Sequence, residues 1–261
     1  MTAEMPPPPP SVRWQRFYNA WGLTASAAIL VVTALVVRPL PFAIASRGVA
    51  SLLVAGTLAV LLAALYLGAG DYRGGFRVAN LVTTVRTACV VGLLVWLSGH
   101  ETRAGVLDLK AQWVAFAVLV LAELSDLADG AVARRFGATP FGATWDMEND
   151  VLFSVGLCVL AHRWFGLGGW VVISSLFHPV YFLLFGFQSD PPHTPAVYKR
   201  FAKTVCALQM IALISTGAPF LPLPLASAFN AVVILMLAVS FGWDLTLRPQ
   251  LRFRWSRSTP Y

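Results

Sequence analysis

Apolar runs long enough to cross a lipid bilayer recur along almost the whole chain, and they limit the possible fold more than any other feature. A helix needs about 20 apolar residues to cross roughly 30 Å of hydrocarbon. Such runs are predicted at residues 20 to 37, 49 to 68, 80 to 98, 111 to 130, 149 to 166, 169 to 187, 200 to 217 and 221 to 243. Hydrophobic residues make up 57% of the chain and charged residues only 12%, which exceeds what a soluble core of this length needs. The prediction is an all-α, polytopic membrane helical bundle with about eight transmembrane helices.

The charged residues between the runs predict the topology. Most of the Lys and Arg residues lie on one side of the predicted membrane. That side holds the N-terminus, the C-terminal end and the loops near residues 71–79, 134–144 and 188–199. Because positive charge marks the cytoplasmic side, both ends are predicted in the cytoplasm. The net charge of +7 does not indicate nucleic-acid binding, since the basic residues lie at the ends of apolar runs. A short Gly-rich turn at residues 166–169 predicts that the fifth and sixth helices are antiparallel neighbours.

Half of the twelve acidic residues fall between residues 123 and 150, around the facing ends of the fourth and fifth runs. A carboxylate at membrane depth costs about 2.5 to 3.5 kcal/mol on insertion scales, so it usually has a function. Residues three or four apart share a helix face, which aligns Asp126 with Asp129 and Asp146 with Asp150. A short loop would bring the four carboxylates together, and hard oxygen ligands of this kind favour two Mg²⁺ or Mn²⁺ ions.

Two glycines and an arginine surround these aspartates. A side chain at Gly130 or Gly142 would hold a diphosphate away from the metals and the backbone, and Arg134 offers a planar fork of donors to phosphate oxygens. The predicted chemistry is that the ions orient a pyrophosphate linkage and a carboxylate deprotonates an alcohol. Attack at phosphorus then expels a nucleoside monophosphate.

The complete string is Asp126-Leu-Ala-Asp129-Gly130-Ala-Val-Ala133-Arg134, a spacer of seven residues, and Gly142-Ala-Thr-Trp-Asp146-Met-Glu-Asn-Asp150. It resembles the signature of the CDP-alcohol phosphotransferases, D-x-x-D-G-x-x-A-R followed by G-x-x-x-D-x-x-x-D, with every defining position filled. A second segment, Asn80-Leu-Val-Thr83-Thr-Val-Arg86, is similar to the N-x-x-T-x-x-R opening of the first core helix in many bacterial members. That opening is typical of glycerophosphate-using enzymes such as the phosphatidylglycerophosphate synthases.

The resemblance implies a role for each matching residue. In that family the four aspartates bind the metal ions and the last is also the proposed general base, which assigns these roles to Asp126, Asp129, Asp146 and Asp150. The residues that contact the CDP portion are, by the same resemblance, Gly130, Ala133, Arg134, Gly142 and Thr83. The donor is expected to be CDP-diacylglycerol or another CDP-alcohol, and CMP is the expected product.

The resemblance also implies an architecture. Family members have a six-helix core, which maps onto residues 71–247. A disordered Pro-rich cytoplasmic tail at residues 1–19 and two additional transmembrane helices at residues 20–70 precede it, and a basic cytoplasmic tail at residues 248–261 follows. The expected location is a bacterial inner membrane with the active site at its cytoplasmic face, and homodimers are common in the family.

The acceptor alcohol is constrained only by four cations, Arg86, Lys199, Arg200 and Lys203. They would attract a phosphorylated alcohol, although positive-inside anchoring explains them equally well. Two other functions compete with phosphatidyl transfer: an intramembrane prenyltransferase and a non-enzymatic divalent-cation transporter. Prenyltransferase acidic motifs lie on well-separated helices and a transporter needs acids through the bilayer depth, so the transferase is the preferred prediction.

Overall fold

The computed structural model describes residues 78–98, 107–136, 140–185 and 194–248, and all regular structure within them is helical. The six α-helices are α1 (Val78–Ser98), α2 (Leu109–Phe136), α3 (Pro140–Arg163), α4 (Ile173–Phe185), α5 (Ala196–Ser215) and α6 (Leu223–Leu247). A 3-10 helix, Gly169–Val172, leads directly into α4. The predicted all-α class is confirmed for this part of the chain. The first two predicted helices and both predicted tails lie outside the described residues, apart from Arg248.

The helix ends differ from those predicted. The predicted bounds of the loop at residues 134–144 are wrong, because α2 continues to Phe136 and α3 already begins at Pro140. Similarly, α5 begins at Ala196 instead of residue 200. Hydropathy detects where a helix leaves an apolar environment, whereas a helix ends where its backbone hydrogen bonds end. The Ala-rich end of α2 favours helix, and proline is well suited to a first helical position such as that of Pro140.

The helix α3 lies at the centre of the described bundle, where it packs against α1, α4 and α5. Phe153, Leu157 and Leu160 along it are almost completely buried. The approach of α1 is close enough that a Cβ at Gly156 would lie 2.3 Å from Val90 Cγ1. Glycine is therefore required at that contact, and it brings the backbones of α1 and α3 together.

The turn predicted between the fifth and sixth runs is present. Gly166 has a φ of 79°, in the left-handed region that glycine adopts without steric cost. His162 Nδ1 lies 2.9 Å from the Leu167 carbonyl oxygen and braces the same turn. The chain then returns through α4, which packs back against α3.

The outer faces of the bundle are apolar. Large exposed side chains include Leu121 on α2 and Val232, Leu235 and Val239 on α6, an arrangement that suits contact with lipid better than contact with water. Within the described ranges, only α6 is long and apolar enough by itself to cross a membrane.

Candidate active site

Two of the four motif aspartates lie along the contact between α1 and α3. Thr83 Oγ1 donates a hydrogen bond to Asp146 Oδ1 at 3.4 Å, and the Arg86 guanidinium forms an ion pair with the Asp150 carboxylate. Residue numbers increase together along both helices, so α1 and α3 are parallel and their first turns lie at the same end of the bundle. Both aspartates therefore share the face of α3 that meets α1, as their spacing predicted.

Arg86 is buried, with 3% of its surface exposed, and its guanidinium carbon lies 4.8 Å from the centroid of the Phe153 ring. The Asp150 side chain is 43% exposed. The arginine thus holds this carboxylate from the protein interior while the carboxylate stays accessible on its outer side. The sequence prediction placed Arg86 at the acceptor alcohol, whereas its partner in the structure is the predicted general base.

A buried hydrogen bond next to these contacts fixes the two helices relative to each other. Thr87 Oγ1 donates to Asn149 Oδ1 at 3.0 Å, and both residues are buried. This pair sets the rotation of α3 about its axis, and with it the direction of the neighbouring Asp150. The motif does not predict this pair, because Asn149 occupies an unrestricted position within it; the available signal was a polar residue inside an apolar helix.

The helix α5 joins the site from the other side of α3. Gln209 Nε2 donates to Ser154 Oγ at 2.7 Å and to the Ser174 carbonyl oxygen at 3.1 Å, so one buried amide ties α5 to both α3 and α4. The start of α5 lies at the site end, because Tyr198 of α5 and Tyr181 near the end of α4 both donate to Asp244 near the end of α6. Since α4 returns along α3 from its far end, the start of α5 lies at the same end as the start of α3, and the two helices are parallel.

The register of α5 determines where its cations lie. Lys203 comes six residues, about 9 Å, before Gln209, whose contact with Ser154 fixes the register, so it lies at the height of α3 between Asp146 and Asp150; Lys199 comes a further turn towards the loop. Both lysines are exposed and lie about 40° apart around the helix axis; Arg200 is also exposed and lies about 60° from Lys203 and about 100° from Lys199. The structure therefore brings all three predicted cations of α5 to the end of the bundle that holds Asp146 and Asp150.

The remaining motif residues belong to helices, but their side chains lie outside the part of the chain that the structure describes. They are Asp126, Asp129, Gly130, Ala133 and Arg134 in α2, and Gly142 in α3. Among the described side chains, no group of three or more His, Cys, Asp or Glu residues could hold a metal ion. The described pair, Asp146 and Asp150, fits a hard divalent cation in donor chemistry, since it presents carboxylate oxygens one helical turn apart on one face.

The comparisons with known proteins agree with this arrangement. The family model for CDP-alcohol phosphatidyltransferase matches residues 76–243, well over half of the chain, and the chain belongs to that family. No curated protein and no solved structure matches the chain. The family resemblance predicted from the motif is confirmed, and with it the general activity: phosphatidyl transfer from a CDP-alcohol to an alcohol in phospholipid synthesis.

Proposed function

We propose that the protein transfers the phosphatidyl group of CDP-diacylglycerol to a phosphorylated alcohol and releases CMP, at the cytoplasmic face of a bacterial inner membrane. The observation that carries this proposal is the pair of contacts from α1 to α3, Thr83 with Asp146 and Arg86 with Asp150. These contacts hold Asp146 and Asp150 on one face of α3. That face lies at the end of the bundle where α5 carries Lys199 and Lys203.

The proposed divalent-metal site consists of Asp126, Asp129, Asp146 and Asp150, which would hold two Mg²⁺ or Mn²⁺ ions. When bound, these ions neutralise the diphosphate and orient it for displacement at phosphorus. The nucleotide would be held by Gly130, Ala133, Arg134, Gly142 and Thr83. Thr83 supports this assignment, because its hydroxyl already contacts Asp146 and so lies beside the metal site.

Asp150 is the proposed general base. Its exposed side can reach an alcohol, while Arg86 holds its other side in place. The carboxylate takes the hydroxyl proton, and the alcohol oxygen forms a bond to the phosphorus that carries diacylglycerol. The bond from that phosphorus to the bridging oxygen breaks, and the electron pair leaves with CMP. Fixing the carboxylate and the alcohol in one geometry supplies much of the rate acceleration.

Lys199 and Lys203 favour an acceptor that carries its own phosphate. They are exposed at the same end of the bundle as Asp146, where they can neutralise a second anionic group without displacing the donor. Glycerol 3-phosphate is the first acceptor to test, because the Asn80-to-Arg86 segment is similar to that of glycerophosphate-using members. The proposal includes an eight-helix topology with two helices before the core, and a homodimer.

The decisive experiment uses the purified protein in nanodiscs with labelled CDP-diacylglycerol, Mg²⁺ and a panel of alcohols. The panel contains glycerol 3-phosphate, inositol 1-phosphate, serine and choline, and CMP release and lipid mass spectrometry are the readouts. Asp150→Asn should abolish turnover, and so should metal chelation. Asp108→Asn is the matched control, because this exposed acid precedes α2 at the opposite end of the bundle and should leave the rate unchanged.

Absence of metal-dependent CMP release with every alcohol would refute the proposal. Competition by CMP distinguishes it from a prenyltransferase, whose site has no cytidine pocket. Metal flux in proteoliposomes without any CDP substrate would instead support a transporter.

A further inference from the structure

A second polar cluster, outside the motif, joins three helices at the end of the bundle that holds the site. Its centre is Asp244 in the last turn of α6, which is buried with 8% of its surface exposed. The carboxylate accepts hydrogen bonds from Tyr181 Oη on α4 at 2.6 Å and from Tyr198 Oη on α5 at 3.1 Å. Arg248 Nε contacts it at 2.8 Å.

Such a carboxylate requires an explanation. An acidic residue at the end of an apolar helix is costly unless it is paired, and this one accepts from α4, from α5 and from Arg248, which directly follows α6. Rings surround it as well: Trp243 packs edge-on against Tyr198 at 5.4 Å between centroids, and Phe241 packs against Tyr181 at 5.7 Å. The cluster ties the ends of α4, α5 and α6 into one unit.

The position of Tyr198 connects this cluster to the acceptor side of the site. Tyr198 lies in the first turn of α5, immediately before Lys199 and five residues before Lys203. Successive residues are about 100° apart around a helix, so the tyrosine faces α6 while the two lysines lie roughly 100° to 140° around the axis. The hydrogen bond to Asp244 therefore sets the rotation of α5 and, through it, the direction of both lysines.

We propose that Asp244 is a positioning residue for acceptor binding, because its hydrogen bond to Tyr198 holds Lys199 and Lys203 at the phosphate of the alcohol. This inference rests on the proposed function and deepens it. The hydrogen bond from Tyr181 to the same carboxylate is made by another helix, so it holds α4 and has no direct effect on the lysines.

The two tyrosines provide a matched pair of variants. Tyr198→Phe and Tyr181→Phe each remove one hydroxyl from the same carboxylate and keep the ring packing. Steady-state kinetics would use CDP-diacylglycerol with glycerol 3-phosphate or inositol 1-phosphate, whichever supports turnover by the wild type. Tyr198→Phe should raise the KM for the phosphorylated acceptor about three- to tenfold, with the KM for the donor and kcat changed less than about twofold. Tyr181→Phe should leave all three constants within about twofold.

Asp244→Asn tests the same link from the other side. An amide can still accept the Tyr198 hydroxyl but no longer carries the charge that draws Arg248, so its KM for the acceptor should lie between those of the wild type and Tyr198→Phe. Equal effects of the two tyrosine variants, or an effect on kcat alone, would overturn the inference. Wild-type protein that releases no CMP with any alcohol would overturn the proposed function itself, so the two failures are distinguishable.

Discussion

The closest contact between α1 and α3 allows a quantitative test of how precisely the site must be held. In Gly156→Ala the new Cβ would lie 2.3 Å from Val90 Cγ1, whereas non-bonded carbon atoms meet at about 3.5 to 4.0 Å. Valine in a helix has one strongly preferred rotamer, so its side chain cannot turn away cheaply. The helices must instead separate by about 1 Å, and overpacking of this kind costs about 1 to 3 kcal/mol.

The same separation should disturb catalysis. Gly156 lies six residues after Asp150, about 9 Å along the helix, and the displacement extends to the contacts of Thr83 and Arg86 with the two aspartates. A misplacement of about 1 Å can lower a rate by roughly 10²-fold. The rate of CMP release by Gly156→Ala should therefore fall by about this factor. The temperature at which the detergent-solubilised protein ceases to be monodisperse should fall as well.

Two further variants make this prediction specific. Gly92→Ala introduces the same methyl group on α1, where a Cβ would meet nothing within 4 Å, so it should be as active as the wild type and slightly more stable. Val90→Ala removes the clashing atom and leaves Val90 Cβ at 3.5 Å, an ordinary contact. The double variant Val90→Ala with Gly156→Ala should therefore regain most of the lost activity. Equal activity of Gly156→Ala and Gly92→Ala, or no recovery in the double variant, would refute the reasoning.

Three other substitutions test the contacts around the site. Thr87→Val removes the hydroxyl that donates to the buried Asn149 side chain and should lower stability by about 1 kcal/mol; Thr87→Ser should restore most of it, and thermal denaturation in detergent measures both. Arg86→Lys keeps the charge but loses the planar group over Phe153, so kcat should fall about tenfold, and an unchanged kcat would argue against a positioning role. Gln209→Leu removes the amide that ties α5 to α3 and α4; it should cost about 1 to 3 kcal/mol of stability with the KM for the donor unchanged, and a selective rise in that KM would contradict the purely structural role.

Much of the site could be predicted because its defining residues are close in sequence. Asp146 and Asp150 are four residues apart, so helical periodicity alone puts them on one face, and the structure shows them there. The partners of these aspartates could not be predicted in the same way. Thr83 and Arg86 lie more than sixty residues earlier, and no local pattern states which helix packs against which.

Other differences have equally physical causes. Hydropathy locates the apolar part of α2 but not its continuation to Phe136, because the charged residues Asp129, Arg134 and Arg135 lower the hydropathy there without ending the helix. Asn149 and Gln209 have no periodic pattern, and only their tertiary hydrogen bonds show that Asn149 links α3 to α1 and that Gln209 links α5 to α3 and α4. Asp244 is an isolated acid near the end of an apolar run, and its connection to α5 depends on a tertiary contact with Tyr198.

The parallel pairing of α1 with α3 has a consequence for how the protein is made. Arg86 is synthesised 64 residues before Asp150, and a ribosome adds about 5 to 20 residues per second. The Asp150 carboxylate is therefore made about 3 to 13 s after the guanidinium with which it pairs. The contact between α1 and α3 can close only once α2 and the start of α3 have been made, so α2 is complete before this part of the site can assemble.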